Sequence, residues 1–369
     1  MPLPPNAWES TQTVSSAELP QIGQSAARFC LGRMKKMAQS ETEIQVERAT
    51  RKRERQPHWR ALFASEYQVL LLCLLWFVAS LPFTPGLFST ENISNIFSNL
   101  LPLLIVATGQ TLVLITGGID LSVTSVMALS SVAGAMVMSG GDARMTIVGT
   151  VLMLLVGAVV GLCNGVAITK LQMPPFIVTL TAMMFFSGLA IWLTKSKTIY
   201  NLPPSFNAIG KGALWFIPYA LLVTAVFVAA AHILLSRSLL GRWLYAVGLN
   251  GKAARISGVP VESTTLCAYV LSGLFAAVAA ILYTGRLETG SPVLGQRLLL
   301  DVIGAAVIGG TSLFGGRGKI VWTLYGVLFL TLIDNSLNLA GHSHFTIMMV
   351  KGSVILLAAL LDVLRTKLR

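Results

Sequence analysis

Apolar residues fall in long unbroken runs instead of alternating with polar ones. The first runs from Tyr67 to Phe83, and others follow at approximately 97–116, 121–139, 146–168, 175–193, 213–235, 263–284, 298–313, 319–337 and 346–363. A helix needs about 20 mainly apolar residues to cross the hydrocarbon of a bilayer. Only helices and closed barrels satisfy their own backbone hydrogen bonds there. The pattern therefore predicts an all-α fold, a polytopic membrane bundle of about ten transmembrane helices.

Breaks in this pattern matter as much as the runs. Gly117-Gly118 precedes Ile119-Asp120-Leu121-Ser122, and Gly309-Gly310 precedes Thr311-Ser312-Leu313-Phe314-Gly315-Gly316. Discontinuous helices are expected at both places, buried within protein, and the two glycine pairs hint at an internal repeat. Gly157, Gly161 and Gly165 recur every fourth residue and predict the close approach of another helix.

Composition agrees with a lipid-embedded chain. Of 369 residues, 54% are hydrophobic and 11% charged, against roughly 25% charged in soluble domains. The net charge of +12 fits Lys and Arg gathered in cytoplasmic loops, not a nucleic-acid partner. Residues 1–60 are polar, with the basic run Arg48, Arg51, Lys52, Arg53 and Arg55, and read as a disordered cytoplasmic tail; 61–369 form the membrane domain. The tail lacks the short apolar stretch and cleavage site of a signal peptide, and Met34 or Met37 is an alternative start.

Counting from a cytoplasmic N-terminus gives ten spans and a cytoplasmic C-terminus. Lys170, Arg237, Arg242, Lys252, Arg255, Arg317, Lys319, Arg365, Lys367 and Arg369 then lie inside; Arg144, Lys195, Lys197, Lys211, Arg286 and Arg297 lie outside. With the basic head, the balance supports this orientation. The three outer lysines before Trp215 are its weakest point.

Candidate chemistry is sparse. No G-x-x-x-x-G-K-[ST] phosphate loop is present, so the chain is not expected to hydrolyse ATP itself. His342 and His344 read as a solvated loop, and Cys30, Cys73, Cys163 and Cys267 are too scattered for a disulfide framework or metal set. No metal or cofactor is expected.

Ionisable residues within apolar segments cost several kcal/mol unless paired or hydrated. Asp120 and Asp301 are expected to cap the spans they begin. Asp334, with Asn335 and Asn338, marks a polar face turned to the interior. Lys351 either snorkels or pairs with Asp334. The longest inner loop, 236–262, has the length for a helix at the membrane face, read equally as a partner dock or as an amphipathic interfacial segment.

The chain from about residue 64 resembles the ribose-type family of ABC sugar permeases. The likeness is carried in order by TGQTLVLITGGIDLSV (Thr108 to Val123), GLCNGVAITKLQMPPFIVTLTAM (Gly161 to Met183), YAVGLNGKAARISGV (Tyr245 to Val259), LDVIGAAVIGGTSLFGGRGK (Leu300 to Lys319) and NSLNLAGHSHF (Asn335 to Phe345). The resemblance implies a permease dimer, of two copies or of paralogues, in the bacterial inner membrane. It further implies cytoplasmic ABC ATPase subunits and a periplasmic solute-binding protein that delivers a monosaccharide or similar solute.

The loop 236–262 would then be the coupling loop, with Ala246, Gly248, Asn250, Ala253, Ala254, Arg255 and Gly258 meeting the ATPase. Gln110, Thr116, Asp120, Ser122, Asn164, Asp301, Asp334, Asn335 and Asn338 are the expected path or gating residues. Thr124, Leu299 and Lys319 depart from the family pattern. Alternatives are an amino-acid or nucleoside permease of related architecture, an ion-coupled secondary transporter, and a non-transporting scaffold.

Overall fold

Continuous apolarity makes helices here, because a backbone without water must bond to itself. The computed structural model describes residues 68–367, which all belong to one unit, Glu66–Arg369. The tail 1–60, the start of the first apolar run and the last two residues lie outside the described residues.

In chain order the α-helices are α1 (Gln68–Ser80), α2 (Thr90–Ile115), α3 (Val123–Met138), α4 (Ala143–Thr169), α5 (Pro175–Thr194) and α6 (Pro204–Lys211). They continue with α7 (Tyr219–Arg237), α8 (Leu239–Ile256), α9 (Val261–Leu287), α10 (Leu299–Gly309), α11 (Ile320–Leu339) and α12 (His344–Lys367). A hairpin, β1 (Ala213–Leu214) with β2 (Ile217–Pro218), lies between α6 and α7. The all-α membrane bundle is thus the observed fold.

Among the described residues six helices, α2, α4, α5, α7, α9 and α11, are long and apolar enough to cross a membrane; α1, α3, α10 and the apolar part of α12 are shorter. These ten elements coincide with the ten apolar runs, with three corrections of extent, the first being that α2 begins at Thr90, seven residues ahead of its run. Residues 213–218, expected to open the sixth span, instead form the hairpin, where Trp215 takes a left-handed backbone at φ 59°. Residues 310–313, expected at the end of the eighth span, lie beyond the end of α10, where Gly310 turns the chain at φ 109°. At 11 residues, α10 rises only about 16 Å, too short for a span of its own. The expected discontinuities are present: α2 breaks before α3, and α10 before α11.

Burial ranks the helices. The most apolar stretch of α2 is 89% buried and that of α5 only 17%, so α2 is the centre of the bundle and α5 its rim. Helix α5 leaves Phe176, Ile177, Met184, Phe185 and Trp192 exposed, as a lipid-facing helix does. Helix α9 is the second inner column. It packs on α4 through the glycine series read in the sequence. A Cβ at Gly157 would strike the Gly273 carbonyl, and one at Gly161 the Tyr269 carbonyl. Any larger residue would push the two backbones apart.

The connections sort into two ends. At one, Gly140 N donates to Asn201 O (3.0 Å), Ile199 and Gly290 pair as an antiparallel bridge, and Arg286 Nη1 donates to Ser98 O (2.8 Å). At the other, Gly316 N donates to Ile115 O (2.8 Å), Thr179 Oγ1 to Ile119 O (3.1 Å), and Lys170 pairs with Glu262 (3.0 Å). These are the ends assigned above as outer and inner.

Candidate functional site

Three regions collect the chemistry, beginning with the break between α2 and α3. Asp120 is buried, and both its oxygens are used. Oδ1 accepts from Ser122 N (2.9 Å) and Ser122 Oγ (2.6 Å), and Oδ2 accepts from Ser272 Oγ of α9 (2.8 Å). Asn164 Nδ2 of α4 donates to Ser122 Oγ (2.8 Å). The Gln110 amide faces the Asp120 backbone, donating to its carbonyl (3.0 Å) and accepting from its N–H (3.2 Å).

Gln110, Asp120, Ser122 and Asn164 are therefore brought together from three elements, with Ser272 from a fourth. This corrects the capping expectation. The N-cap of α3 is Ser122, and the turn aims the carboxylate at Ser122 and Ser272 instead of at the first-turn N–H groups. Thr116 stands apart, its hydroxyl donating to Val113 O within its own helix end (2.7 Å). Thr124 lies buried in the first turn of α3.

The inner junction is the second region. Helix α8 occupies most of the expected coupling loop and is broken at Asn250, whose backbone is extended (φ −164°, ψ 100°). Asn250 Oδ1 accepts from Lys252 N (3.0 Å) and Ala253 N (3.1 Å), so it caps the short second segment. The first segment docks on both helix breaks at once. Tyr245 Oη donates to Gly318 O (2.6 Å), while a Cβ at Gly248 would strike Ile115 O and Gly316 N.

Ala246 is half-buried, Ala254 buried, and Ala253, Arg255 and Gly258 exposed. Gly258, at φ 83°, ends the segment. Arg255 pairs with Glu262 (3.3 Å), which also holds Lys170. Lys319, at the start of α11, lies 4.8 Å from the Trp322 ring, a cation–π contact. Sequence reasoning missed Leu249, just before the break, and Ile256, at the end of the second segment, exposed at 71% and 89%. Their signal was an apolar residue on either side of a polar helix break.

The outer end of α2 and α11 is the third region. Asp334, Asn335 and Asn338 line a cavity of about 280 Å³ together with Asn92, Asn95 and Asn99. Asn92 and Asn335 exchange two amide hydrogen bonds, at 3.1 and 2.6 Å. Asn338 Nδ2 donates to Asp334 Oδ2 (3.3 Å), and Asn99 Oδ1 accepts from Arg286 Nη1 (2.8 Å).

Lys351 of α12 sits between Asp301 and Asp334, 2.8 Å from each. The expectation that Asp301 caps its helix is corrected: α10 starts at the N-cap Leu298 without a side-chain cap, and the carboxylate goes to Lys351. Asn92 and Asn95 escaped the sequence reading because α2 starts at Thr90, ahead of its apolar run, and Asn99, a polar residue within that run, was passed over. Their i, i+3, i+7 spacing was the available signal.

A family model described as "Branched-chain amino acid transport system / permease component" matches residues 92–359. The "Ribose import permease protein RbsC" of Bacillus subtilis (strain 168) is 44% identical over 282 residues, covering 75% of this chain and 86% of that protein. The protein of the same description from Escherichia coli (strain K12) is 37% identical over 299 residues, 80% and 92% of the two chains. The "L-arabinose transport system permease protein AraH" of Escherichia coli (strain K12) is 35% identical over 298 residues, 80% and 90% of the two chains. No solved structure matches.

Proposed function

The chain belongs to the family of branched-chain amino acid transport system permease components, and from that premise we propose that the solute it moves is a monosaccharide of ribose or arabinose size. It is a multi-pass inner-membrane permease subunit of an ABC importer, a class that works with ATPase and solute-binding partners. The observation that carries the sugar assignment is similarity to ribose and arabinose permeases along three quarters or more of the chain. The family description, by contrast, names amino acids.

The finer mechanism rests on the inner junction. The first segment of α8 touches the end of α2 at Ile115 and the turn before α11 at Gly316 and Gly318. A push on α8 from a closing ATPase therefore reaches both helix breaks without an intervening flexible loop. The exposed second segment, with Ala253, Arg255, Leu249 and Ile256 beside it, is the face offered to that ATPase. Small residues permit close seating, and Arg255 supplies a charge-assisted donor. A second permease, copy or paralogue, completes the pathway.

Uptake in proteoliposomes containing permease, ATPase and binding protein tests the reading. ATP-dependent import of D-ribose or L-arabinose is expected. Import of leucine in place of both sugars, or uptake that follows an ion gradient without the ATPase, overturns it.

A further inference from the structure

The cavity between the outer ends of α2 and α11 has a composition that packing does not explain. Its lining is Asn92, Asn95, Asn99, Asp334, Asn335 and Asn338, with Leu339 as the apolar member. Asn92 and Asn335 satisfy one another and hold the two helices together. The others keep hydrogen-bonding capacity in reserve. Among the described residues, exposed Asn99 engages only its oxygen, with Arg286, and exposed Asn338 only its NH₂ group, with Asp334. Asn95 is exposed and makes no side-chain hydrogen bond among the described residues. A free donor, a free acceptor and an uncommitted amide thus border one space.

We infer that this cavity is a solute subsite for a neutral polyhydroxylated molecule, the station where a sugar released by the binding protein first meets the permease. The inference rests on the sugar reading above and adds the residues that touch the solute. Three observations support the ligand class. Each hydroxyl of a polyol both donates and accepts, matching amides that offer both. Charge points the same way: an anion would face the Asp334 carboxylate, whereas a cation would face a carboxylate already paired with Lys351 at 2.8 Å. A neutral ligand meets neither conflict. Size is the third, since about 280 Å³, close to the lower end of the roughly 300–1,000 Å³ of small-molecule sites, suits a monosaccharide.

Two measurements on the assembled transporter decide the matter. In the first, Asn95→Leu with Asn338→Leu removes reserve capacity while leaving the Asn92–Asn335 pair. Import of D-ribose is expected to fall at least 10-fold in complexes that assemble normally by size exclusion; unchanged import overturns the subsite. Should the double variant not assemble, the second measurement stands alone.

In it, Asn95→Cys is labelled in proteoliposomes of outside-out orientation with a membrane-impermeant thiol reagent, and wild type provides the background. Millimolar D-ribose or L-arabinose is expected to slow labelling at least threefold, and leucine to leave it unchanged. Labelling indifferent to both sugars, protection by leucine, or absence of labelling overturns the subsite. Wild-type import is followed in parallel. Import that continues beside unprotected labelling removes the subsite and leaves the sugar reading standing, whereas protection by leucine with leucine import removes both.

Discussion

Asp120 shows how a single side chain holds a break inside an apolar bundle. Its carboxylate receives the Ser122 amide, the Ser122 hydroxyl and the Ser272 hydroxyl, and Gln110 binds its backbone on both sides. Replacing it by alanine leaves several buried donors without an acceptor, at about 1–3 kcal/mol for each. Asp120→Ala is expected to lower the apparent melting temperature of the detergent-solubilised protein by several degrees. Asp120→Asn, which keeps one acceptor oxygen, should lower it less; equal melting for wild type and alanine variant contradicts the bracing role. Gly248 makes a steric counterpart. A Cβ there meets the Ile115 carbonyl and the Gly316 amide, both backbone, whereas one at Gly251 meets nothing within 4 Å. Gly248→Ala should therefore abolish ATP-driven import while Gly251→Ala, three residues along the same helix, preserves at least half of it. Similar activity in the two variants would show that α8 does not seat against the helix breaks.

Helix α8 joins the two helix breaks to an exposed inner face. Its Asn250 break separates a docked segment from an exposed one, and Arg255 on the exposed segment is tied to Glu262 at the start of α9. That tie is a surface ion pair, worth about 0–1 kcal/mol, so breaking it alone should matter little. Glu262→Gln is expected to keep stimulation of the partner ATPase within about twofold. Arg255→Glu should abolish stimulation, because it reverses the charge offered to the partner. If Arg255→Glu complexes assemble and are stimulated normally, Arg255 has no part in coupling. How much of these elements was legible follows from what each depends on. Helices α3, α4 and α5 match their apolar runs to within a few residues, since continuous apolarity alone decides them. The start of α2 was hidden because Thr90, Glu91, Asn92, Ser94 and Asn95 made the seven helical residues ahead of the apolar run look like a loop. The hairpin at 213–218 was hidden for the opposite reason, its Ala, Leu, Trp, Phe and Ile reading as a span until Trp215 turns the backbone left-handed. The gathering of Gln110, Asp120, Ser122 and Asn164 was legible only as a set of polar residues in apolar runs. That Ser272 completes it, and that Lys351 pairs with Asp301 as well as Asp334, depends on the lateral register of helices far apart in sequence, which no local pattern encodes.

The bundle has two ends that, among the described residues, do not exchange partners. The connections at Gly140, Asn201, Gly290, Lys211 and Glu288 bond among themselves, as do those at Ile115, Gly316, Gly318, Lys170 and Glu262. One label at each end therefore fixes the orientation of every helix between them. Ser257, after α8, and Ser196, after α5, are both exposed and accept a cysteine of nearly the same size. The positive-inside rule, together with α8 as the ATPase-facing helix, requires Ser257 to be cytoplasmic and Ser196 to be outside. In intact spheroplasts an impermeant thiol reagent should label Ser196→Cys and spare Ser257→Cys, and in inside-out vesicles the pattern should invert. Labelling of Ser257→Cys from outside would place α8 away from any ATPase. It would also turn the asparagine-lined cavity toward the cytoplasm, so one reversal would remove both the coupling surface and the entry subsite. The positions of the two sites on opposite ends of α2 make that joint failure unavoidable, since α2 runs unbroken from Asn92 at the cavity to Ile115 at the junction.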